Sequence, residues 1–168
     1  MSLEPEWRKE EAMRILVAED EPSYRRLLEE KLTMWGYDVV VAENGDVALQ
    51  ILQSGAPPRL AILDWIMPGM EGVEVCRKVR EEMKGPYTYM ILLTSQQSDA
   101  DLVTGMDAGA DDYITKPFKH HELRLRLRAG RRIIELQNEL VAARETSRSK
   151  AHSRHWFEDV SRIMRQNC

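Results

Sequence analysis

Leu60-Ala61-Ile62-Leu63-Asp64-Trp65-Ile66-Met67-Pro68-Gly69-Met70-Glu71-Gly72 is the stretch on which the fold turns: four apolar residues end on an acid, and a Pro-Gly turn follows at once. A short apolar run without polar alternation reads as a strand buried on both faces, the pattern of a parallel sheet. Upstream, Arg14-Ile15-Leu16-Val17-Ala18 is a second such run, and it ends on Glu19-Asp20. Parallel strands bring their carboxyl ends to one edge, where open α/β sheets bind ligands, so acids 44 positions apart (20 to 64) meet there. Three carboxylates gathered at one edge repel each other unless a cation neutralises them, and that points to a divalent metal.

Outward from these runs, apolar strands alternate with helical periods. Tyr24, Leu27, Leu28, Leu32 and Trp35 recur at helical spacing until Gly36 offers a left-handed cap. Val39-Val40-Val41 is a strand, Val47, Ala48, Ile51 and Leu52 form a helix face, and Gly55-Ala56-Pro57-Pro58 is a loop. After the Pro68-Gly69 turn, Val73, Val75, Cys76, Val79 and Met83 line a third helix that Gly85-Pro86 ends. Met90-Ile91-Leu92-Leu93 is a fourth strand, Asp99 to Ala108 a shorter helix entered through Ser98 and closed by Gly109, and Tyr113-Ile114-Thr115 a fifth strand. Five strands each followed by a helix predict a three-layer α/β sandwich with right-handed crossovers.

Charge divides the chain. Residues 1–118 carry 12 Lys and Arg against 22 Asp and Glu, net −10, whereas residues 119–168 carry 12 against 6, net +6. Such asymmetry reports on partners more than on fold. Cys76 and Cys168 lie far apart, with no pairing or metal spacing. The acidic N-terminus lacks the basic start and apolar stretch of a secretion signal, and no run reaches 18 apolar residues, so a cytoplasmic location is expected.

The fifth helix starts near His120 and meets no stop signal before about Thr146, apart from a tolerable Gly130. Ala129, Ile133, Leu136, Leu140 and Ala143 follow the 4-3-4-3 rhythm of a coiled coil for about two heptads, which predicts a projecting, self-associating helix and a homodimer. The bland alternative folds Ile133, Ile134, Leu136 and Leu140 back on the domain. Thr146 to Arg154 is polar and Ser-rich, and Trp156, Phe157, Val160, Ile163 and Met164 then mark a short amphipathic helix. The expected organisation is an N-terminal arm (1–12), a domain (13–130) and a helical extension (131–168).

Glu19-Asp20, Asp64-Trp65-Ile66-Met67-Pro68-Gly69-Met70-Glu71-Gly72, Thr94-Ser95 and Tyr113-Ile114-Thr115-Lys116-Pro117 stand in order at predicted strand ends, 44, 30 and 22 residues apart. With these four elements the chain resembles the receiver domain of two-component response regulators over roughly residues 13–130. The resemblance implies a flavodoxin-like, doubly wound (βα)5 sheet of order 2-1-3-4-5. It implies that Asp64 accepts a phosphoryl group from a histidine kinase or histidine phosphotransfer protein in a phosphorelay. Mg²⁺ (or Mn²⁺) would be held by Glu19, Asp20, Asp64 and the Ile66 carbonyl, hard oxygen donors of the kind it prefers. Thr94, Lys116 and the backbone amides of Trp65 and Ser95 would bind the phosphoryl oxygens. Thr94 and Tyr113 would act as the switch that reshapes the surface of helix 4, strand 5 and helix 5 and acts on the C-terminal helix, and the Lys116-Pro117 bond would be cis. Glu19 stands where many members have Asp. Trp65 is expected to overhang the site, where it would slow water attack on the acyl phosphate or gate the donor's approach; equal dephosphorylation half-lives in native protein and Trp65→Ala would refute the idea.

Each residue has a plainer reading. Asp64 fits a turn cap, Glu19 and Asp20 fit the first turn of a helix entered at Pro22, Lys116 a solvated lysine, and Thr94 and Tyr113 ordinary strand residues. The joint spacing outweighs these. A metal-dependent phosphohydrolase with an Asp nucleophile is the enzymatic alternative, but it needs an acid two residues on, where this chain has Ile66. A nucleic-acid-binding role rests on Arg124, Arg126, Arg128, Arg131, Arg132, Arg144, Arg148 and Arg154, without a second DNA-binding domain. His152 and His155 have helical spacing for a metal but no supporting ligands. Arg131-Arg132-Ile133-Ile134-Glu135-Leu136-Gln137 resembles the signalling-helix linkers that precede diguanylate cyclase or related output domains, so the chain is either a stand-alone receiver or the receiver part of a longer protein.

Overall fold

A computed structural model of the chain describes residues 12–95 and 99–166. The arm through residue 11, the Ser98 cap, Cys168 and the side chains of Phe157, Ile163 and Met164 lie outside the described residues. Five strands, β1 (Arg14–Ala18), β2 (Asp38–Ala42), β3 (Leu60–Asp64), β4 (Tyr89–Thr94) and β5 (Asp112–Thr115), alternate with α1 (Pro22–Met34), α2 (Gly45–Leu52), α3 (Gly72–Glu82), α4 (Asp99–Asp107) and α5 (His120–Gln166). All pairings are parallel and the order is β2-β1-β3-β4-β5. This is the expected doubly wound architecture, with helices on both faces.

The strands form where apolar residues are continuous because both faces are covered. Leu16, Ala18, Ala61, Leu63, Met90 and Leu92 face one layer with Ala48 and Leu52 of α2 and Val75, Cys76 and Val79 of α3. Alternation turns Ile15, Val17, Ile62 and Ile91 to the opposite face, and α1 and α5 bury Leu28, Leu32, Leu123 and Leu127. Local signals set the helix ends. Glu21 caps α1, its carboxylate accepting from the amides of Ser23 (3.0 Å) and Tyr24 (2.7 Å), and Asn44 caps α2 through the Val47 amide (2.9 Å). Gly36 and Gly109, just beyond α1 and α4, hold the left-handed φ of +91° and +107° that L side chains resist.

The described residues up to 131 form one compact unit and those from 132 a second. Within the second, α5 runs to Gln166. The sequence suggested a break at Thr146 to Arg154 and a separate short helix; the backbone instead continues through both. Ser and Thr are weak helix formers but do not stop one, and neither Gly nor Pro interrupts this stretch. Along α5, Ile134 is buried while Ile133, Leu136, Leu140 and Val141 are exposed. Among the described residues, no helix is long and apolar enough to cross a membrane.

At the amino end of the sheet, Arg80 of α3 ties three elements together. It donates to Asp111 (2.7 Å), to the Tyr87 hydroxyl (3.0 Å) and to the Gly109 carbonyl (2.9 Å), while Asp111 also accepts from the Met90 amide and the Tyr87 hydroxyl. Gly130 has a different constraint. A Cβ there would lie 2.5–3.0 Å from three atoms of the buried Tyr89 ring, so α5 passes too close for a side chain. Alanine's helix preference of about 1 kcal/mol over glycine is smaller than the roughly 1–3 kcal/mol of forcing a packed ring aside. Gly130→Ala should therefore destabilise the protein, by up to about 2 kcal/mol once the helix gain is set against the clash, in urea denaturation; increased stability would show that the ring yields freely.

Candidate functional site

Asp64 is the last residue of β3, Glu19 follows β1, Thr94 ends β4 and Lys116 follows β5, so the parallel register delivers all four to one edge. Carboxylate oxygens of Glu19, Asp20 and Asp64 lie within 4.8 Å of one another. Lys116 reaches in between, its Nζ donating to Glu19 Oε2 at 2.8 Å and to Asp64 Oδ2 at 3.0 Å. Glu19 is 1% exposed and Asp64 8%, whereas Asp20 is open to solvent. The Lys116-Pro117 bond is cis, and the Lys116 amide donates to the Thr94 carbonyl at 2.7 Å.

Three acids share one ammonium, and that excess shows in Glu19. Burial, with the neighbouring Asp64 charge adding to it, raises its carboxyl from 4.5 to about 7 despite the Lys116 hydrogen bond. Lys116 experiences the reverse: burial works against its charge, but the hydrogen bonds to Glu19 and Asp64 outweigh that and hold its pKa above the ordinary value. A site short of positive charge and built from hard oxygens suits a small divalent cation. Glu19, Asp20 and Asp64 fit Mg²⁺ on their own donor chemistry.

Glycines bring the loop after Asp64 close. A Cβ on Gly72 would overlap the Asp64 carbonyl, and the Gly72 amide donates to the Trp65 carbonyl at 2.9 Å, so α3 begins directly beside the acid. Gly69 takes a φ of +77°, which the turn requires.

Two expectations about Trp65 are corrected. Its amide donates to the Leu93 carbonyl at 2.8 Å, extending the β3–β4 ladder, and so is not a free donor to a phosphoryl oxygen. Its ring does not overhang the site either: it is 6% exposed, and a Cβ on Gly105 of α4 would meet it at 3.0 Å, with Leu92 at the same distance. Strand alternation past Asp64 turns the ring into the layer beneath α4, and the exposed neighbour is Ile66, at 54%. Tyr113 is half-buried in β5 and packs at the margin of that layer, and Thr94 is fully buried. Ser95 is exposed. His152 and His155 join no grouping of three metal-ligating side chains among the described residues.

Three residues at the site escaped the sequence reading. Arg25 donates to the Glu19 carbonyl at 2.8 Å. Tyr24, assigned to the helix face, lies with its ring 4.5 Å from Lys116 Nζ, and Phe118 meets that ring edge-on at 5.9 Å. A first-turn aromatic directly after an acidic strand end was the available signal.

Comparison with known proteins gives the family to which this fold and edge belong. Residues 15–128 match the response regulator receiver domain. The chain is 46% identical over 116 residues to "Probable transcriptional regulator ycf27" of Cyanophora paradoxa, covering 69% of this chain and 47% of that protein. A CheY-like receiver domain protein from Methanospirillum hungatei superposes with a TM-score of 0.68 at 27% identity, over 75% of this chain and 98% of that one. The receiver domain of a sensor histidine kinase from Pseudomonas aeruginosa, solved with magnesium coordinated in its active site cleft, gives 0.64 at 28% identity, over 74% and 98%. The chain belongs to the response regulator receiver family of two-component systems, whose members act as signalling domains rather than as classical enzymes. It spans about half the length of the curated relative it matches.

Two outcomes test this geometry. Because the folded carboxyl of Glu19 binds its proton more tightly than the unfolded one, its contribution to stability is complete below pH 4.5 and is lost as pH rises through about 7. In metal-free protein, Glu19→Gln should flatten the pH dependence of urea midpoints across that window; an unchanged profile would exclude Glu19 as its source. Trp65→Ala should cost about 3–5 kcal/mol in the same assay, as for a buried aromatic, whereas an overhanging ring would cost under about 1 kcal/mol.

Proposed function

We propose that this receiver accepts a phosphoryl group on Asp64 from a phosphohistidine of a partner kinase or phosphotransfer protein. The observation that carries this reading is the Lys116 ammonium 3.0 Å from Asp64 Oδ2, with the Glu19 and Asp20 carboxylates beside it. An Asp64 oxygen attacks phosphorus, the new O–P bond forms as the N–P bond to imidazole breaks, and the donor imidazole leaves with the bonding electrons and takes up a proton from solvent. Lys116 balances charge on the transferring oxygens as a compact point cation, and the Thr94 hydroxyl donates to one of them. The Ser95 amide is a further donor. Glu19, Asp20 and Asp64, with the Ile66 carbonyl, would hold Mg²⁺ or Mn²⁺, which would supply charge neutralisation among the acids and polarisation of the phosphoryl group.

Output follows from differential binding. A Thr94 contact made only to the phosphorylated state biases an equilibrium between two arrangements, with Tyr113 turning inward. The surface of α4, β5 and α5 then changes. It carries exposed Val103, Met106 and Leu125 and a hollow lined by Asp112, Pro117, His121 and Arg126. The same surface and a self-associating C-terminal helix supply the contacts to the next protein.

Intact mass after incubation with acetyl phosphate and Mg²⁺ tests the assignment. Native protein should gain about 80 Da, the mass of one phosphoryl group, and Asp64→Asn and metal-stripped protein should not. A gain that persists in Asp64→Asn would move the acceptor elsewhere.

A further inference from the structure

Lys116 sits on a flexible four-carbon stem, and its ammonium has three hydrogens to direct. Glu19 and Asp64 take it at 2.8 and 3.0 Å. Its third close neighbour is the face of the Tyr24 ring, 4.5 Å from Nζ. This ring is itself held. The Tyr24 amide donates to the capping carboxylate of Glu21 at 2.7 Å, which fixes the backbone at the start of α1. Phe118, two residues past Lys116, stands perpendicular to the ring at 5.9 Å and fixes its tilt. The Lys116–Phe118 segment therefore contributes both the cation and the aromatic that steadies its platform.

We propose that Tyr24 is a positioning residue of the acceptor site, its ring face holding the Lys116 ammonium over Asp64 through phosphoryl transfer. This rests on the reading of Asp64 as acceptor. Of the three neighbours, the ring alone carries no charge. The charge presented by Glu19 and Asp64 changes whenever a metal ion or a phosphoryl group arrives, whereas the attraction of the ring quadrupole does not. Without the ring, the lysine follows whichever carboxylate is more negative, and Glu19 competes with Asp64 for it. With the ring, Lys116 keeps its aim while the acids exchange partners. Partial burial strengthens the contact, since a cation on an aromatic face gains as water is withdrawn. The phenolic hydroxyl has no part in this role.

The test uses the full chain and four forms: native, Tyr24→Phe, Tyr24→Leu and Phe118→Leu, each checked for native circular dichroism and a cooperative melt. Phosphorylation by acetyl phosphate with saturating Mg²⁺ is followed by intact mass. Tyr24→Leu should be phosphorylated roughly five- to thirtyfold more slowly, the range a partly to fully desolvated cation–π contact supports. Tyr24→Phe should restore the rate that leucine loses, and Phe118→Leu, which keeps the ring but frees its tilt, should fall between. In parallel, the Lys116 ε-methylene protons should resonate upfield under the ring current in native protein and Tyr24→Phe, and return to the free-lysine position in Tyr24→Leu. A Tyr24→Leu rate equal to native, or a Tyr24→Phe rate as slow as leucine's, overturns the proposal. Should native protein gain no mass at all, the acceptor reading fails, and an Lys116 resonance without ring shift then sinks the Tyr24 contact on its own.

Discussion

One ammonium set among three carboxylates is the constraint around which this domain is arranged. Lys116 touches Glu19 and Asp64, 97 and 52 positions earlier in the chain, and that arrangement exists only if β1, β3 and β5 end in step. The sheet register supplies this: Ala18 pairs with Leu63, Asp64 with Leu93, and Thr94 with Thr115. Glycines permit the remaining approach, since the first residue of α3 lies where any side chain would strike the Asp64 carbonyl. The apolar core, large as it is, acts here as a jig for four polar strand ends.

The two ionic clusters at opposite ends of the sheet are built on different terms. Around Arg80, one guanidinium meets one carboxylate, a phenol and a backbone carbonyl, and Asp111 is satisfied from three directions. Such a network stabilises one arrangement because every member is partnered. At the carboxyl edge, charge is unbalanced, and burial lifts Glu19 toward neutrality. The first cluster suits a fixed joint between α3 and the α4–β5 turn, the second a site that gains from an incoming cation.

Much of this was legible in the sequence because buried parallel strands announce themselves as unbroken apolar runs and because strand ends collect function. Asp64, Glu19-Asp20 and Lys116 were placed by that logic, and the strand boundaries differ by a residue or so from those read off the runs. What escaped depends on direction in space rather than residue type. Trp65 follows Asp64 in sequence, yet alternation turns its ring beneath α4 and its amide into the ladder. Tyr24 reads as an apolar helix position, but the first turn of α1 aims it at the lysine. Gly130 looks like a tolerated blemish in a helix; its reason, the Tyr89 ring, lies 41 positions away. The polar stretch at 146–154 lacks any residue that breaks a helix, and propensity alone did not reveal that the backbone continues.

Within α4, Gly105 is the one residue, among those whose burial is described, that is sealed from solvent, and it rests on Trp65 and Leu92. The outer side of that helix, including Val103 and Met106, is consequently unburdened by packing. Mutation can remodel that outer face while the seat, a bare backbone on an indole, stays as it is. Lineages descended from such a domain are free to redraw the outside of this helix without disturbing its footing.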